Sequence, residues 1–572
     1  MPDPSRSMPS NGRRTSIDSQ GGVDAELGHA SLTQPFLNGD TLSTHDHDHD
    51  HDTPLLTTSE TKSLKRSLAQ RHLSMLALAG SIGTGLFLSL GQAIQRAGPL
   101  GSLLAYAVVG FVVCAVQFAL GETAALVPVT GSFVRHAEML LDPAWGFAVG
   151  WNLVYGNLVS VPVEATAVCV LVRYWGWGIH DAVVILVFWV ATVGVGMARV
   201  RVFGEVEFVF ALVKVTFVVF LVILGLIIDL GWVPGQEAIG LRYWSDPGPF
   251  VEYIATGDWG RFLGFWAVMT GAVFSFAGVE SLAMAAAETK NPREAIPRAC
   301  KRVFGRVVVF YMLAVFVVGL LVPSNDPRLD GSGDTVAQSP FVIAAQQAGI
   351  PAIASLVNAV VITSAWSAAN QSLLAGTRVL YGLALKGQAP KIFLRTTSWG
   401  TPYICVGLFA IFILLSLLSL SESAITVFWW LVSLTAAGVL VSWATILLNH
   451  IRLLKAMKKQ GYSTTKLPWH NWWTEYSSPL AFVTVIVFLL TGGFSVFTKG
   501  NWDAAKFVSS YLDIPIVSSA FLFWKYTKKT SIVSLDEVPL EMAFCQIEEY
   551  PNEPEPPVNK RGWIHALSWL WD

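Results

Sequence analysis

Between residues 73 and 526, apolar stretches long enough to cross roughly 30 Å of hydrocarbon follow one another with only short polar breaks. In lipid each backbone N–H and C=O has to be satisfied within the protein, which leaves helices as the natural reading of such runs. The pattern predicts helices near 73–95, 100–121, 145–172, 181–200, 206–229, 262–286, 304–323, 351–380, 402–420, 424–449, 479–498 and 511–526, twelve in all. Composition agrees: 53% of residues are hydrophobic and 14% charged, against about 25% charged in ordinary soluble chains. The 22 Trp and 33 Phe suit interfacial belts and lipid-facing surfaces.

Three domains follow. Residues 1–72 are polar, carry no signal-peptide pattern and are expected to form a disordered tail. Residues 73–526 form the membrane domain, and 527–572 a second tail, acidic and Pro-rich up to Pro557. It closes on Trp563, Ile564, Leu567, Trp569, Leu570 and Trp571, a patch suited to a membrane surface or to the protein's own cytoplasmic face. With the N-terminus placed inside, about 25 Lys and Arg flank the spans on the inner side against about 7 outside, so both termini are expected to be cytoplasmic. Cys114, Cys169, Cys300, Cys405 and Cys545 show no paired spacing and read as packing residues. The run from His45 to Asp52 alternates His and Asp; it reads as a charged low-complexity segment, with weak metal binding as the competing account. No nucleotide-binding or metalloenzyme motif is present, so no cofactor, resident metal or enzymatic activity is expected, and no nucleic-acid partner.

Two spans break their own rules. The first contains Gly80-Ser81-Ile82-Gly83-Thr84-Gly85, and the sixth contains Gly271 and Phe274-Ser275-Phe276-Ala277-Gly278-Val279-Glu280. Each glycine weakens a helix by about 1 kcal/mol relative to alanine. Unwound backbone survives in a membrane only where it lines a cavity, and two such breaks five helices apart are what an inverted repeat places at its ligand site. Close helix packing is the competing explanation, and it is the expected one for Gly146 and Gly150. N–H groups at Gly83, Thr84 and Gly85 would face an anion from the positive end of a half-helix. Freed carbonyls around Phe274–Gly278 would accept from an ammonium. Together these two arcs describe an α-amino acid.

Four motifs, Ser81-Ile-Gly-Thr-Gly-Leu-Phe87, Asp142-Pro-Ala-Trp-Gly-Phe-Ala-Val-Gly-Trp151, Asn291-Pro-Arg-Glu-Ala-Ile-Pro297 and Leu380-Tyr-Gly-Leu-Ala-Leu-Lys-Gly-Gln-Ala-Pro-Lys-Ile-Phe393, resemble the fungal amino-acid permease family from about residue 62 to 540. That family belongs to the amino acid–polyamine–organocation superfamily. The resemblance implies a leucine-transporter-like fold: all-α, about twelve transmembrane helices, a five-plus-five inverted repeat, and broken helices one and six. Val279 and the stretch Leu434-Thr435-Ala436-Ala437-Gly438 depart from the family pattern near the expected pocket, which leaves the substrate range open.

Ser81, Gly83, Thr84, Gly85, Glu164, Phe274, Ala277 and Gly278 are the expected substrate-binding set. Lys214, Glu280, Ser364 and Ser367 are the expected coupling or gating set, with Thr363 and Asn370 beside the serines. An ionisable group in a span costs about 2.5 kcal/mol or more at mid-membrane, so each needs a reason. Lys214 is the only Lys or Arg within the fifth span; snorkelling to the cytoplasm competes with a proton-carrying role. For Glu280 the competing account is a structural hydrogen bond to helix one, for Phe274 it is packing, and Glu122 reads as an anchor at the end of helix two. The expected activity is amino-acid:proton symport by alternating access, with amino acid, protons and lipid bilayer as partners. The expected address is the plasma membrane, with the tails as the place where cytoplasmic trafficking or ubiquitination machinery would act. The alternatives are a transporter-like nutrient receptor, or a permease for a polyamine- or choline-type cation.

Overall fold

The computed structural model describes residues 83–129, 131–198, 200–280, 292–329 and 339–549. The N-terminal tail with its His-Asp run, Ser81 and the Trp-rich end all lie outside the described residues. The helices are α1 (Leu90–Leu126), α2 (Ser132–Leu140), α3 (Pro143–Val172), α4 (Asp181–Gly196), α5 (Val200–Asp229), α6 (Gly257–Ala267), α7 (Met269–Ser275), α8 (Pro292–Arg306) and α9 (Leu313–Leu321). They continue with α10 (Pro340–Gln347), α11 (Pro351–Leu385), α12 (Tyr403–Ile413), α13 (Ala424–Lys459), α14 (Thr474–Thr491), α15 (Ala504–Tyr511), α16 (Asp513–Lys528) and α17 (Leu540–Glu549).

Each of the twelve expected stretches contains helix among its described residues, and the fold is the all-α polytopic membrane architecture, with helix beginning at Thr84 in the first span and ending at Ser275 in the sixth. By length and apolarity alone, 7 described helices qualify as spans, or 8 when α15 and α16, bent by 44°, count as one. The others fall short for local reasons. The first two expected spans are limbs of one helix, kinked at Gly98 (φ 76°, ψ 175°) just before Pro99. Proline disfavours α geometry in the residue before it, and glycine accepts the positive φ that results. The elbow is stitched to the loop that follows α5: Leu100 N–H donates to the Pro249 carbonyl at 3.0 Å and Val251 N–H to Ala97 at 3.2 Å. In the sixth span the helix ends at Ser275 and residues 276–280 form a turn, while 281–286 lie outside the described residues.

The central column is α3, which packs against α11, α13 and α16. It starts at Asp142 because that carboxylate accepts from Ala144 N–H at 2.8 Å and Pro143 needs no N–H partner in the first turn. Asp142 also holds Lys525 and, at 2.7 Å, the Thr530 hydroxyl, which ties the end of α16 to the start of α3. A Cβ on Gly146 would lie 2.2 Å from Glu138 Cγ, and one on Gly150 2.8 Å from Leu383 Cδ2. Both glycines therefore serve close packing, as expected. Four of the five cysteines are buried and Cys545 is exposed. Val538, Leu540 and Ala543 pack with Leu126, Leu140 and Leu453, so the described part of the C-terminal segment seats on the helix ends of the same chain.

Candidate functional site

The described chain opens on a bend at Gly83, helix starts at Thr84, and a π-helical turn over Gly85–Ser89 carries the chain into α1. On the other side α7 ends at Ser275, Phe276 leaves helical geometry (φ −99°, ψ 3°), and Gly278 takes φ +92°. Only glycine adopts that last value cheaply. The two breaks touch: a Cβ on Gly85 would lie 2.6 Å from Ser275 Cα. Tyr106 and Tyr311 hold Ser275 from behind, through its hydroxyl at 3.0 Å and its carbonyl at 2.9 Å.

Between the breaks and α3 lies a cavity lined by Gly83, Gly85, Glu164, Phe274, Ala277, Gly278 and Glu280. Seven expected residues thus share one space. Thr84 stands just behind it and donates its hydroxyl to Glu164 Oε2 at 2.9 Å. The other Glu164 oxygen looks toward the first break, 3.3 Å from where a Gly83 Cβ would be. Phe274 is buried and meets Phe428 edge-on with ring centroids 6.2 Å apart. Glu280 accepts from Gly278 N–H and from Trp443 Nε1, both at 3.3 Å. Those bonds join the sixth-span break to α13, where the competing account had placed a bond to helix one.

Of the expected coupling set, Glu280 lines the cavity itself, while Lys214 and Ser367 gather around Glu207. Lys214 is buried and within electrostatic range of both Glu164 and Glu207. Glu207, also buried, accepts at Oε1 from Ser367 Oγ at 2.6 Å and from Gln371 Nε2 at 2.7 Å. Ser367 therefore faces α5. Ser364 is buried nearby on the same helix, whereas Thr363 is spent on its own Val360 carbonyl. Glu207 was missed by the sequence reading, although it precedes Lys214 by two helical turns and shares its face. Glu122, near the end of α1, is fully buried, accepts from Asn471 N–H at 2.8 Å and faces His450 Nε2 at 2.8 Å, a structural hold on the helix end. Asn152, Gln371, Thr435, Gly438 and Ser442 complete the cavity wall from α3, α11 and α13. Thr435 and Gly438 belong to the stretch expected near the pocket; no local motif marks Asn152, Gln371 or Ser442.

Residues 72–537 match the amino acid permease family model. The chain belongs to the amino acid permease family. The permease is 38% identical over 505 residues to the lysine-specific permease of Saccharomyces cerevisiae, a match that covers 87% of this chain and 82% of that one. It is 35% identical to the dicarboxylic amino acid permease of the same yeast, over 84% of this chain and 80% of that one. It is likewise 35% identical to the proline-specific permease of Emericella nidulans, over 90% and 94%. Among solved structures, a manganese transporter of Eremococcus coleocola superposes with a TM-score of 0.53 at 12% identity, over 82% of the permease and 96% of that chain. That likeness carries the fold alone, and the permease shares with it the architecture expected from the two broken helices.

Proposed function

We propose that the protein is a secondary active amino-acid carrier, an amino-acid:proton symporter that works by alternating access in the plasma membrane with both termini cytoplasmic. The single observation behind this reading is that both helix breaks and Glu164 share one cavity while Lys214 lies buried within electrostatic reach of Glu164 and Glu207. The first turn at Gly83–Gly85 presents N–H groups to a carboxylate at the positive end of a helix. Carbonyls at the end of α7, with Glu164, receive the ammonium. Cargoes named for the relatives include lysine, proline and dicarboxylic amino acids, whose common part is the amino acid head. Lys214 is the proton carrier in this scheme, because a buried lysine changes protonation readily as its carboxylate neighbours move.

The test is uptake into proteoliposomes under an imposed pH gradient. Lys214→Met loses uphill accumulation while still exchanging substrate across the membrane. Undiminished uphill uptake with unchanged pH dependence overturns the proton-carrier assignment. Loss of recognition on esterifying the substrate carboxylate separates an amino acid from a polyamine- or choline-type cargo.

A further inference from the structure

Asp513 opens α16 and is fully buried, yet neither of its carboxylate oxygens has a hydrogen-bond partner among the described residues. Asn152 on α3 stands beside it. Its Nδ2 donates to the Gly438 carbonyl at 2.9 Å and to Ser442 Oγ at 3.4 Å, which fixes the amide and leaves Oδ1 without a partner. The Tyr155 hydroxyl, within electrostatic range of Asp513, is also unpartnered. The group adjoins the cavity at Gly438. A Cβ there would lie 3.4 Å from Asn152 Oδ1, itself in the cavity wall, and 3.8 Å from Asp513 Oδ1, so Asp513 stands just behind a bare glycine of that wall.

A buried carboxylate with no partner is costly unless a cation or proton meets it. Here Asp513 and Asn152 Oδ1 both border Gly438, with the Tyr155 phenol in electrostatic range of Asp513. One proton satisfies one acceptor, whereas an ammonium brings three N–H donors and a guanidinium five. The cavity wall adds Glu164 and Glu280 and includes no Lys or Arg among the described residues. We propose that Asp513, Asn152 and Tyr155 form a cation-recognising subsite, reached past Gly438, that takes the ammonium or guanidinium end of a basic amino acid.

This deepens the transport reading and rests on it, so the measurement is chosen to be independent of proton coupling: exchange of labelled lysine and of norleucine in proteoliposomes with no pH gradient. Norleucine keeps lysine's carbon chain and lacks its ammonium. The wild-type protein exchanges lysine with the lower KM, and Asp513→Asn raises the ratio of lysine to norleucine KM roughly tenfold. Gly438→Ala, whose new methyl meets its neighbours at ordinary contact distance, raises the same ratio without removing the charge, and it decides the matter should Asp513→Asn fail to fold. A wild-type protein that exchanges neutral amino acids but prefers norleucine overturns the subsite and leaves the transport reading standing. A ratio unmoved by the variants overturns it, as does an Asp513→Asn effect confined to pH dependence, which would assign the carboxylate to a proton.

Discussion

Thr84, the first described helical residue of span one, donates its hydroxyl to Glu164 in the last third of α3 across 2.9 Å. The bond links the backbone that would hold a substrate carboxylate to the side chain that would hold its ammonium. Thr84→Val removes the donor at constant volume, and hydrogen bonds to charged groups are worth about 1.5–3 kcal/mol. Uptake is expected to fall about tenfold or more in kcat/KM, with Thr84→Ser restoring most of it.

The two glycines of the break differ in what surrounds them. Gly85 has Ser275 backbone 2.6 Å from its would-be Cβ, whereas Gly83 has Glu164 Oε1 at 3.3 Å and Ala368 Cβ at 3.6 Å. Gly85→Ala is therefore expected to push the breaks apart and lower both uptake and melting temperature, since overpacking costs typically about 1–3 kcal/mol. Gly83→Ala lowers uptake and leaves melting nearly unchanged, while Gly83→Val abolishes uptake in protein that still reaches the membrane. Surface-normalised uptake and detergent melting curves separate these outcomes.

Glu207 is held by Ser367 and Gln371 at 2.6 and 2.7 Å. Breaking a buried charge pair by removing one partner typically costs about 3–5 kcal/mol. Glu207→Gln should reproduce the Lys214→Met phenotype, with accumulation lost and exchange kept. Ser367→Ala should give a milder version, read as a shifted pH profile of uptake. A Glu207→Gln protein with wild-type accumulation would remove Glu207 from the coupling cluster.

Asp142 caps α3 and binds Lys525 and Thr530. Asp142→Asn keeps a capping oxygen and loses the ion pair, and Asp142→Ala loses both, at about 1 kcal/mol for the cap alone. Melting temperature should fall in the order wild type, Asn, Ala.

In the loop between α9 and α10, burial works to raise the Asp326 carboxyl, but hydrogen bonds from the Arg328 side chain and backbone, at 2.6–2.9 Å, outweigh it and hold the group below the ordinary carboxylate range. A depressed folded value means the contribution is present above the ordinary aspartate value of about 3.9 and is lost as pH falls through the lower one. Asp326→Asn should melt earlier than wild type at pH 7, and the gap should close below about pH 4.

The spans and their breaks were legible in the sequence because both are local properties: hydrocarbon thickness sets a length, and glycine weakens a helix wherever it stands. Gly83, Glu164 and Glu280 could be named for the same reason, each being a rule-breaker inside its own span, whereas Phe274 was named through the family resemblance. The kink at Gly98 had a local signal in Pro99, but whether a loop intervened depended on the Pro249–Val251 segment that stitches the elbow. Only tertiary structure decided that Glu207 meets Ser367, that Glu280 binds Trp443, and that Asp513 lies unpaired beside Asn152. Those partners are separated by 160 or more residues, and no helical periodicity within one segment states which face of another it will meet.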